Sequence, residues 1–168
     1  MAHRVPKRLG IVALLIGLGA AWSVRADEPI AVIVSSRWTE IEEISLITLQ
    51  RVYLGRILRL SGHRLECFHL QAGSAVRAGF SLAVLGRSEA ALREYWLEQA
   101  LTGGSVPPRE FGSASKVVAQ VARRRGAIGY VAYRELQELD RRGIRVLGIL
   151  EGGHRWLPTQ PSYPIRYP

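Results

Sequence analysis

Two short glycine-serine segments stand where helices are predicted to begin, and they are the residues of this sequence best suited to hold an anion. Gly73-Ser74-Ala75 precedes one helical pattern, and Gly112-Ser113-Ala114-Ser115 precedes another. Unpaired backbone N–H groups at a helix start, together with the helix dipole and a hydroxyl, bind oxyanions readily. Arg77 lies one turn into the first helix and adds a forked donor for the same anion. The residues that could bind a small oxyanion are therefore Gly73, Ser74, Ala75, Arg77, Ser113 and Ser115.

Two other interpretations of these residues exist. The serines can act only as helix caps, with Arg77 in solvent, because a side-chain oxygen before a helix accepts from the first free N–H groups. Ser113 to Lys116 also fits the S-x-x-K pattern of serine acylases, in which a lysine activates the serine. The S-D-N and K-T-G segments that accompany that pattern are missing, and the chain is far shorter than such catalytic domains. The sequence therefore predicts a binding protein rather than an enzyme.

The histidines, acidic residues and cysteine predict neither a metal site nor a cofactor. His63 and His69 lie around one predicted strand, but no H-x-x-x-H spacing or carboxylate grouping completes a set of metal ligands. The acidic run from Glu40 to Glu43 is explained by its place ahead of a helix. Cys67 is the single cysteine, so the sequence allows neither an intrachain disulfide nor a thiolate metal site. We expect it to be a small buried core residue.

Length and charge limit the protein to one domain that is mildly basic once its N-terminal segment is removed. The chain has 168 residues, of which 48% are hydrophobic, and this length supports one ordinary domain. Removal of residues 1–26 takes away four of 23 basic residues and leaves 19 against 14 acidic ones, a net charge of +5. The basic residues are spread along the sequence apart from Arg123 to Arg125 and Arg141-Arg142, without interleaved aromatic residues. Nucleic acid is therefore not a predicted partner.

The first 26 residues have the pattern of a secretory signal peptide. A basic start is followed by an apolar run from Ile11 to Trp22 and by Val24-Arg25-Ala26, which suits cleavage after Ala26. The apolar run is shorter than the roughly 20 residues that span a bilayer, although an uncleaved anchor is the alternative. We expect a periplasmic protein without a membrane span after cleavage.

The rest of the chain alternates strand and helix patterns, which predicts an α/β domain over residues 27–152. Continuous apolar runs with β-branched residues indicate strands, and serines ahead of apolar residues at helical spacing indicate helix starts. We expect a mixed sheet of four to five strands flanked by helices, followed by a proline-rich tail over residues 153–168. The segment Pro158 to Pro164 within this tail contains too many prolines to pair in a sheet. The predicted strands are Pro29 to Val34, Leu65 to Leu70, Ala127 to Val131 and Ile144 to Ile149.

Read in order, several segments resemble the phosphate-binding, periplasmic substrate-binding proteins of ABC importers, and specifically their small single-domain relatives. Gly126 to Val131 matches the family's G-A-I-G-Y-V and is the most specific piece, while Gln71 to Phe80 falls at the phosphate loop. Leu49 to Ile57 is similar to the family's L-x-x-I-F-x-G-K-I. Ile30 to Val34 is similar to its first strand, and Ser162 to Tyr167 to a shortened Y-P-x-x-R-x-x-Y end. The similarity spans nearly all of the chain after residue 26.

This resemblance implies a single periplasmic-binding-protein-like lobe with phosphate as the default ligand, linked to ABC-type phosphate transport. Its partners would be phosphate or another oxyanion and an ABC permease or another periplasmic protein. Family members that transport phosphate enclose it between two lobes, whereas this chain has room for one, and Ala75 stands near a ligand-binding Gly or Thr of larger members. The alternative is a non-transport periplasmic adaptor that uses the same lobe to bind a protein.

Overall fold

The computed structural model describes residues 28–151 and, for the backbone, a strand at 155–158; the predicted signal peptide and residues 159–168 lie outside this part. The sheet strands are β1 (Ile30–Ser35), β4 (Glu66–Leu70), β5 (Arg109–Phe111), β6 (Ala127–Ala132), β7 (Ile144–Glu151) and β8 (Arg155–Pro158), and a hairpin consists of β2 (Arg59–Leu60) and β3 (His63–Arg64). The helices are α1 (Leu46–Tyr53), α2 (Ala75–Phe80), α3 (Glu89–Leu101), α4 (Ala114–Arg123) and α5 (Tyr133–Glu138).

The six strands form one mixed sheet in the order β5-β4-β6-β1-β7-β8. β4 runs parallel to both β5 and β6, whereas β1 is antiparallel to β6 and β7, and β7 is antiparallel to β8. The predicted α/β class and mixed sheet are confirmed. The sheet has two strands, β5 and β8, beyond the four predicted ones. β5 could not be predicted, because it is only three residues long and carries two charged residues, which gives no apolar pattern.

The expectation that the segment Pro158 to Pro164 stays out of the sheet is wrong for Pro158, and the rest of this segment lies outside the described residues. The backbone of Arg155–Pro158 pairs with β7, with Pro158 opposite Gly148. Proline is tolerated there because β8 is the last strand of the sheet and Pro158 is its last residue.

Serine caps set the starts of four helices, as their sequence positions predict. Ser45, Ser74, Ser88 and Ser113 each accept a hydrogen bond from the backbone N–H three residues later. α2 continues as a π-helical turn over Ser81–Leu85 and ends at Gly86, whose φ of 63° is left-handed. The sequence suggests Gly126 as the C-cap of α4, but the C-cap is Arg124, in extended conformation, and Gly126 forms the turn into β6.

Gly129 in β6 allows α4 to pack directly on the sheet. A Cβ atom at this position would lie 2.6 Å from Cγ1 of Val117 and 2.9 Å from Cγ2 of Val121. The neighbouring Tyr130 points to the opposite face, because successive side chains of a strand alternate, and there it contacts Tyr53 and Phe80. All six residues of β1 are buried, which confirms that this strand is covered on both faces.

Cys67 is half-buried and packs against the core without forming part of its centre. Its sulfur lies 3.9 Å from the carbonyl oxygen of Val52, and burial raises the pKa of the thiol to about 12. The thiol is therefore neutral at ordinary pH. Within the part of the chain described, no helix combines the length and apolarity that crossing a bilayer requires.

Candidate functional site

The two glycine-serine segments lie side by side at one edge of the sheet. They follow β4 and β5, which are parallel neighbours with Leu70 opposite Phe111. The backbone N–H of Gln71 donates to the carbonyl oxygen of Phe111 at 2.9 Å, and a Cβ at Gly112 would lie 3.2 Å from Oε1 of Gln71. Parallel strands leave their following loops at the same end, where α/β proteins bind ligands. The structure thus joins two candidate segments that the sequence shows only separately.

The hydroxyls of both segments cap their helices. Ser74 Oγ accepts from the N–H of Arg77 at 3.4 Å, and Ser113 Oγ accepts from the N–H of Lys116 at the same distance. Ser115 Oγ lies 3.0 Å from Ser113 Oγ. Each hydroxyl can form more than one hydrogen bond, so capping leaves capacity for a ligand.

The backbone of the two segments is open to solvent. Gly73, Ala75, Gly112 and Ser115 are exposed, while Ser74 and Ser113 are half-buried. Gly73 has a φ of 86°, a left-handed conformation that glycine adopts without strain. A small anion therefore has access to this end of the sheet from solvent.

Arg77 is buried beneath the loop and is held by two glutamates. Its side chain is 10% exposed; Nη1 lies 2.6 Å from Oε1 of Glu110, and Nε lies 2.8 Å from Oε2 of Glu89. The Nε contact is an ion pair whose N–H does not point at the oxygen, so it is not a hydrogen bond. Nη1 also donates to the carbonyl oxygen of Leu70 at 2.9 Å. Arg77 is therefore an internal brace between β4, α3 and β5, and not a solvated side chain.

The carboxylates around Arg77 change the electrostatics that the sequence predicts. Glu89 and Glu110 place two negative charges against one guanidinium, and Ser81 Oγ donates to Oε1 of Glu89 at 2.7 Å. Among the described residues, neither Nε nor Nη2 of Arg77 forms a hydrogen bond. The two glutamates could not be predicted from the sequence, because their distance from Arg77 along the chain gives no local signal.

An aromatic cluster lies under the site, formed by Tyr53, His69, Phe80 and Tyr130. Nδ1 of His69 lies 2.7 Å from the Tyr130 hydroxyl, and the rings of Phe80 and Tyr130 stack at 3.8 Å. Burial, together with the nearby charge of Arg77, lowers the pKa of His69 to about 3. His69 is therefore neutral near pH 7 and adds no positive charge for an anion.

A separate concave region lies beyond β1, in the acidic segment and the tip of the β2–β3 hairpin. Its volume is about 480 Å³, and Glu40, Glu42 and Glu43 contribute to its lining. Glu40 Oε1 lies 3.3 Å from Nε2 of His63. Three carboxylates repel phosphate, so this region is not the oxyanion site. Within the residues described, no group of three or more His, Cys, Asp or Glu side chains is arranged to hold a metal ion.

No protein-family model matches the sequence, and no curated protein matches it. Solved structures are similar in fold. An ABC-type phosphate transport receptor from Vibrio cholerae is 15% identical, with a TM-score of 0.53 over 70% of this chain and 44% of the receptor. PstS from Borrelia burgdorferi is 13% identical, with a TM-score of 0.56 over 82% of this chain and 49% of PstS.

The chain thus spans less than half the length of these structures. The described residues form one mixed sheet with flanking helices and contain no second lobe. This agrees with a match to about half of each of these structures. The chain therefore has the fold of a single lobe of the phosphate ABC transporter substrate-binding proteins.

Proposed function

We propose that the protein is a periplasmic domain that binds phosphate or a similar small oxyanion and is linked to ABC-type phosphate transport. The observation that carries the proposal is the adjacency of the Gly73-Ser74 and Gly112-Ser113 segments at the carboxyl ends of β4 and β5. It brings backbone N–H groups and three hydroxyls to one exposed place. The proposed ligand-binding residues are Gly73, Ser74, Ala75, Arg77, Ser113 and Ser115.

The proposed site binds its anion from one side only. Enclosed sites bury most of a ligand's surface, whereas this one leaves the anion in contact with water, so its affinity is lower than that of a two-lobed protein. Hydrogen bonds to a charged ligand contribute about 1.5–3 kcal/mol each. A few such bonds from the two segments therefore support binding at millimolar concentration or tighter.

Calorimetric titration with phosphate and with sulfate tests the proposal. Ser74→Ala and Ser113→Ala each remove one hydroxyl from the site, and we expect each to weaken phosphate binding. Ser45→Ala is the matched control, because Ser45 caps α1 in the same way but belongs to neither segment. Binding that survives both substitutions would move the site elsewhere.

A second function, a non-transport adaptor that binds another periplasmic protein, is favoured by one observation. The two glutamates around Arg77 give the site a surplus of negative charge, which opposes anion binding. If wild-type protein binds neither phosphate nor sulfate at millimolar concentration, the adaptor function replaces oxyanion binding.

Export is part of both proposals and has its own test. We expect a signal peptide over residues 1–26 to be cleaved after Ala26, since the Val24-Arg25-Ala26 end suits the signal peptidase. Mass spectrometry of the exported protein should find Asp27 at its N-terminus. An intact Met1 in that protein would favour the uncleaved anchor instead.

A further inference from the structure

Six exposed arginines from four separate parts of the sequence meet at the end of the sheet opposite the candidate oxyanion site. We call this surface the arginine-rich end. Its members lie after β1, at the end of β3, at and after the end of α4, and before β7. They are Arg37, Arg64, Arg123, Arg125, Arg141 and Arg142.

Hydrogen bonds to backbone carbonyl oxygens hold these parts of the chain together. Nε of Arg125 donates to the carbonyl oxygen of Arg37 at 2.8 Å, which joins the segment after α4 to the turn after β1. The N–H of Ser36 donates to the carbonyl oxygen of Gly143 at 2.9 Å, which joins the same turn to the one before β7. The cluster is therefore fixed by the sheet and does not depend on flexible side chains alone.

Arg64 is joined to the same surface through Gly126. A Cβ atom at Gly126 would collide with the carbonyl oxygen of Arg64, and the N–H of Glu66 donates to the carbonyl oxygen of Gly126 at 3.1 Å. Because Gly126 directly follows Arg125, the end of β3 lies beside the end of α4. Four of the six arginines belong to the two basic runs of the sequence, and the fold brings these runs together with Arg37 and Arg64.

Carboxylates at this end neutralise only part of its positive charge. Glu66 lies 3.4 Å from Nε of Arg124, and Asp140 lies 2.8 Å from Nη2 of Arg142. Glu40 lies at the border, 3.9 Å from Nη1 of Arg125. Within the described residues, Arg64, Arg123 and Arg141 form no ion pair.

The chemistry of the arginine-rich end fits a lipid surface better than it fits a single-stranded nucleic acid or a protein. In the described part of the chain, the exposed large apolar side chains are Ile, Leu and Val without an aromatic ring. Single-stranded nucleic acids use aromatic side chains for stacking, and the hot spots of protein interfaces combine arginine with Trp and Tyr, neither of which is among these exposed side chains. Attraction to an anionic bilayer needs neither, because basic side chains near the surface act through its negative potential.

We propose that the arginine-rich end binds an anionic phospholipid surface peripherally, with the candidate oxyanion site facing away from the lipid. The proposal is independent of phosphate binding. It places the Gly73 and Gly112 segments, at the opposite end of the sheet, toward the aqueous phase.

Vesicle co-sedimentation of the protein as purified from the expressing cell, with its N-terminus established by mass spectrometry, tests the proposal. The probes are vesicles of 30% phosphatidylglycerol in phosphatidylcholine and vesicles of phosphatidylcholine alone. We compare Arg64→Gln/Arg123→Gln/Arg141→Gln with Arg51→Gln/Arg56→Gln/Arg93→Gln, two triple variants of exposed arginines that lose the same charge. Circular dichroism shows whether both variants are folded.

We expect wild type to bind the anionic vesicles, with affinity that falls as salt rises. Each arginine near an anionic surface raises the binding affinity about fivefold, so the first triple variant should bind the anionic vesicles roughly a hundredfold more weakly than wild type. The second should stay within a few-fold of wild type. Equal binding by the two variants, or no preference of wild type for anionic vesicles, would overturn the proposal. Stronger retention on a 20-base-pair DNA duplex than on the vesicles, at the same salt, would assign the surface to nucleic acid instead.

Discussion

Nη1 of Arg77 lies 2.6 Å from Oε1 of Glu110, across the two parallel strands whose loops form the candidate site. Glu110 belongs to β5 and is about half exposed, and Arg77 follows β4. The pair ties the two loops together, but it also uses the guanidinium that the sequence assigns to a bound anion. Any oxyanion at Gly73-Ser74 therefore competes with a carboxylate that is part of the protein.

Glu110→Gln should strengthen phosphate binding. The amide keeps the shape of the side chain but removes the negative charge nearest Nη1 of Arg77, so repulsion of the anion falls. We expect about tenfold tighter binding, which corresponds to about 1.4 kcal/mol. Calorimetric titration measures it, with Glu66→Gln as the control, because Glu66 is also a half-exposed glutamate paired with an arginine but lies at the opposite end. Unchanged or weaker binding in Glu110→Gln would show that the pair does not limit the site.

Local signals in the sequence predict much of this fold. The strand β1 is a continuous apolar run, and each of the serines Ser45, Ser74 and Ser88 caps the helix that follows it. Such signals depend on neighbours within a few residues, where the cap and the first turn of the helix meet. Elements with a local pattern are therefore located correctly to within a residue or two.

Features that depend on distant residues could not be predicted. The contacts of Arg77 with Glu89 and Glu110, the short strand β5 and the arginine-rich end all arise from the order of strands in the sheet. A single sequence contains no direct signal for that order. The resemblance located the Gly73-Ser74 loop, but only the pairing of β4 with β5 places Gly112-Ser113 beside it.

Gly129→Val should destabilise the protein by about 1–3 kcal/mol, because its side chain would overlap Val117 and Val121 of α4. Chemical denaturation measures the loss. Gly79→Ala is the control, since a Cβ there meets only Cδ1 of Ile30 at an ordinary 3.4 Å. Alanine also favours a helix over glycine, so this variant should be as stable as wild type or more so. Equal stability of Gly129→Val and wild type would contradict the packing of α4 on β6.

The protein should lose stability as the pH falls below about 6.5, because burial lowers the pKa of His69 to about 3 in the folded state. Between these values the unfolded chain binds a proton at His69 that the folded chain does not, so acid favours unfolding. The contribution is complete above pH 6.5 and decreases by about 1.4 kcal/mol per pH unit toward pH 3.

Denaturation between pH 7 and 4.5 checks this expectation. His69→Gln should flatten the pH dependence relative to wild type, whatever its effect on stability at pH 7. His63→Gln is the control, since His63 lies at the surface beside Glu40. If the slopes of wild type and His69→Gln agree, another group controls the acid response.

Arg77 acts as a brace and is also a proposed ligand, and a double comparison separates these roles. Arg77→Ala alone leaves Glu89 and Glu110 without their cation, and it removes the side chain that joins β4, α3 and β5. Weaker phosphate binding in that variant would therefore be ambiguous, because the loop itself would be disturbed.

Removing the carboxylates first resolves the ambiguity. We expect Glu89→Gln/Glu110→Gln to bind phosphate at least as tightly as wild type, since the guanidinium is then free for the anion. Adding Arg77→Met keeps much of the side-chain volume in a site that no longer contains an unpaired charge. If Arg77 is a ligand, calorimetry should show the triple variant binding ten- to a hundredfold more weakly than the double variant, the range expected for one charge-assisted hydrogen bond. If the triple and the double variant have equal affinities and similar denaturation midpoints, Arg77 is only a structural brace. The anion site then consists of the backbone N–H groups and hydroxyls alone.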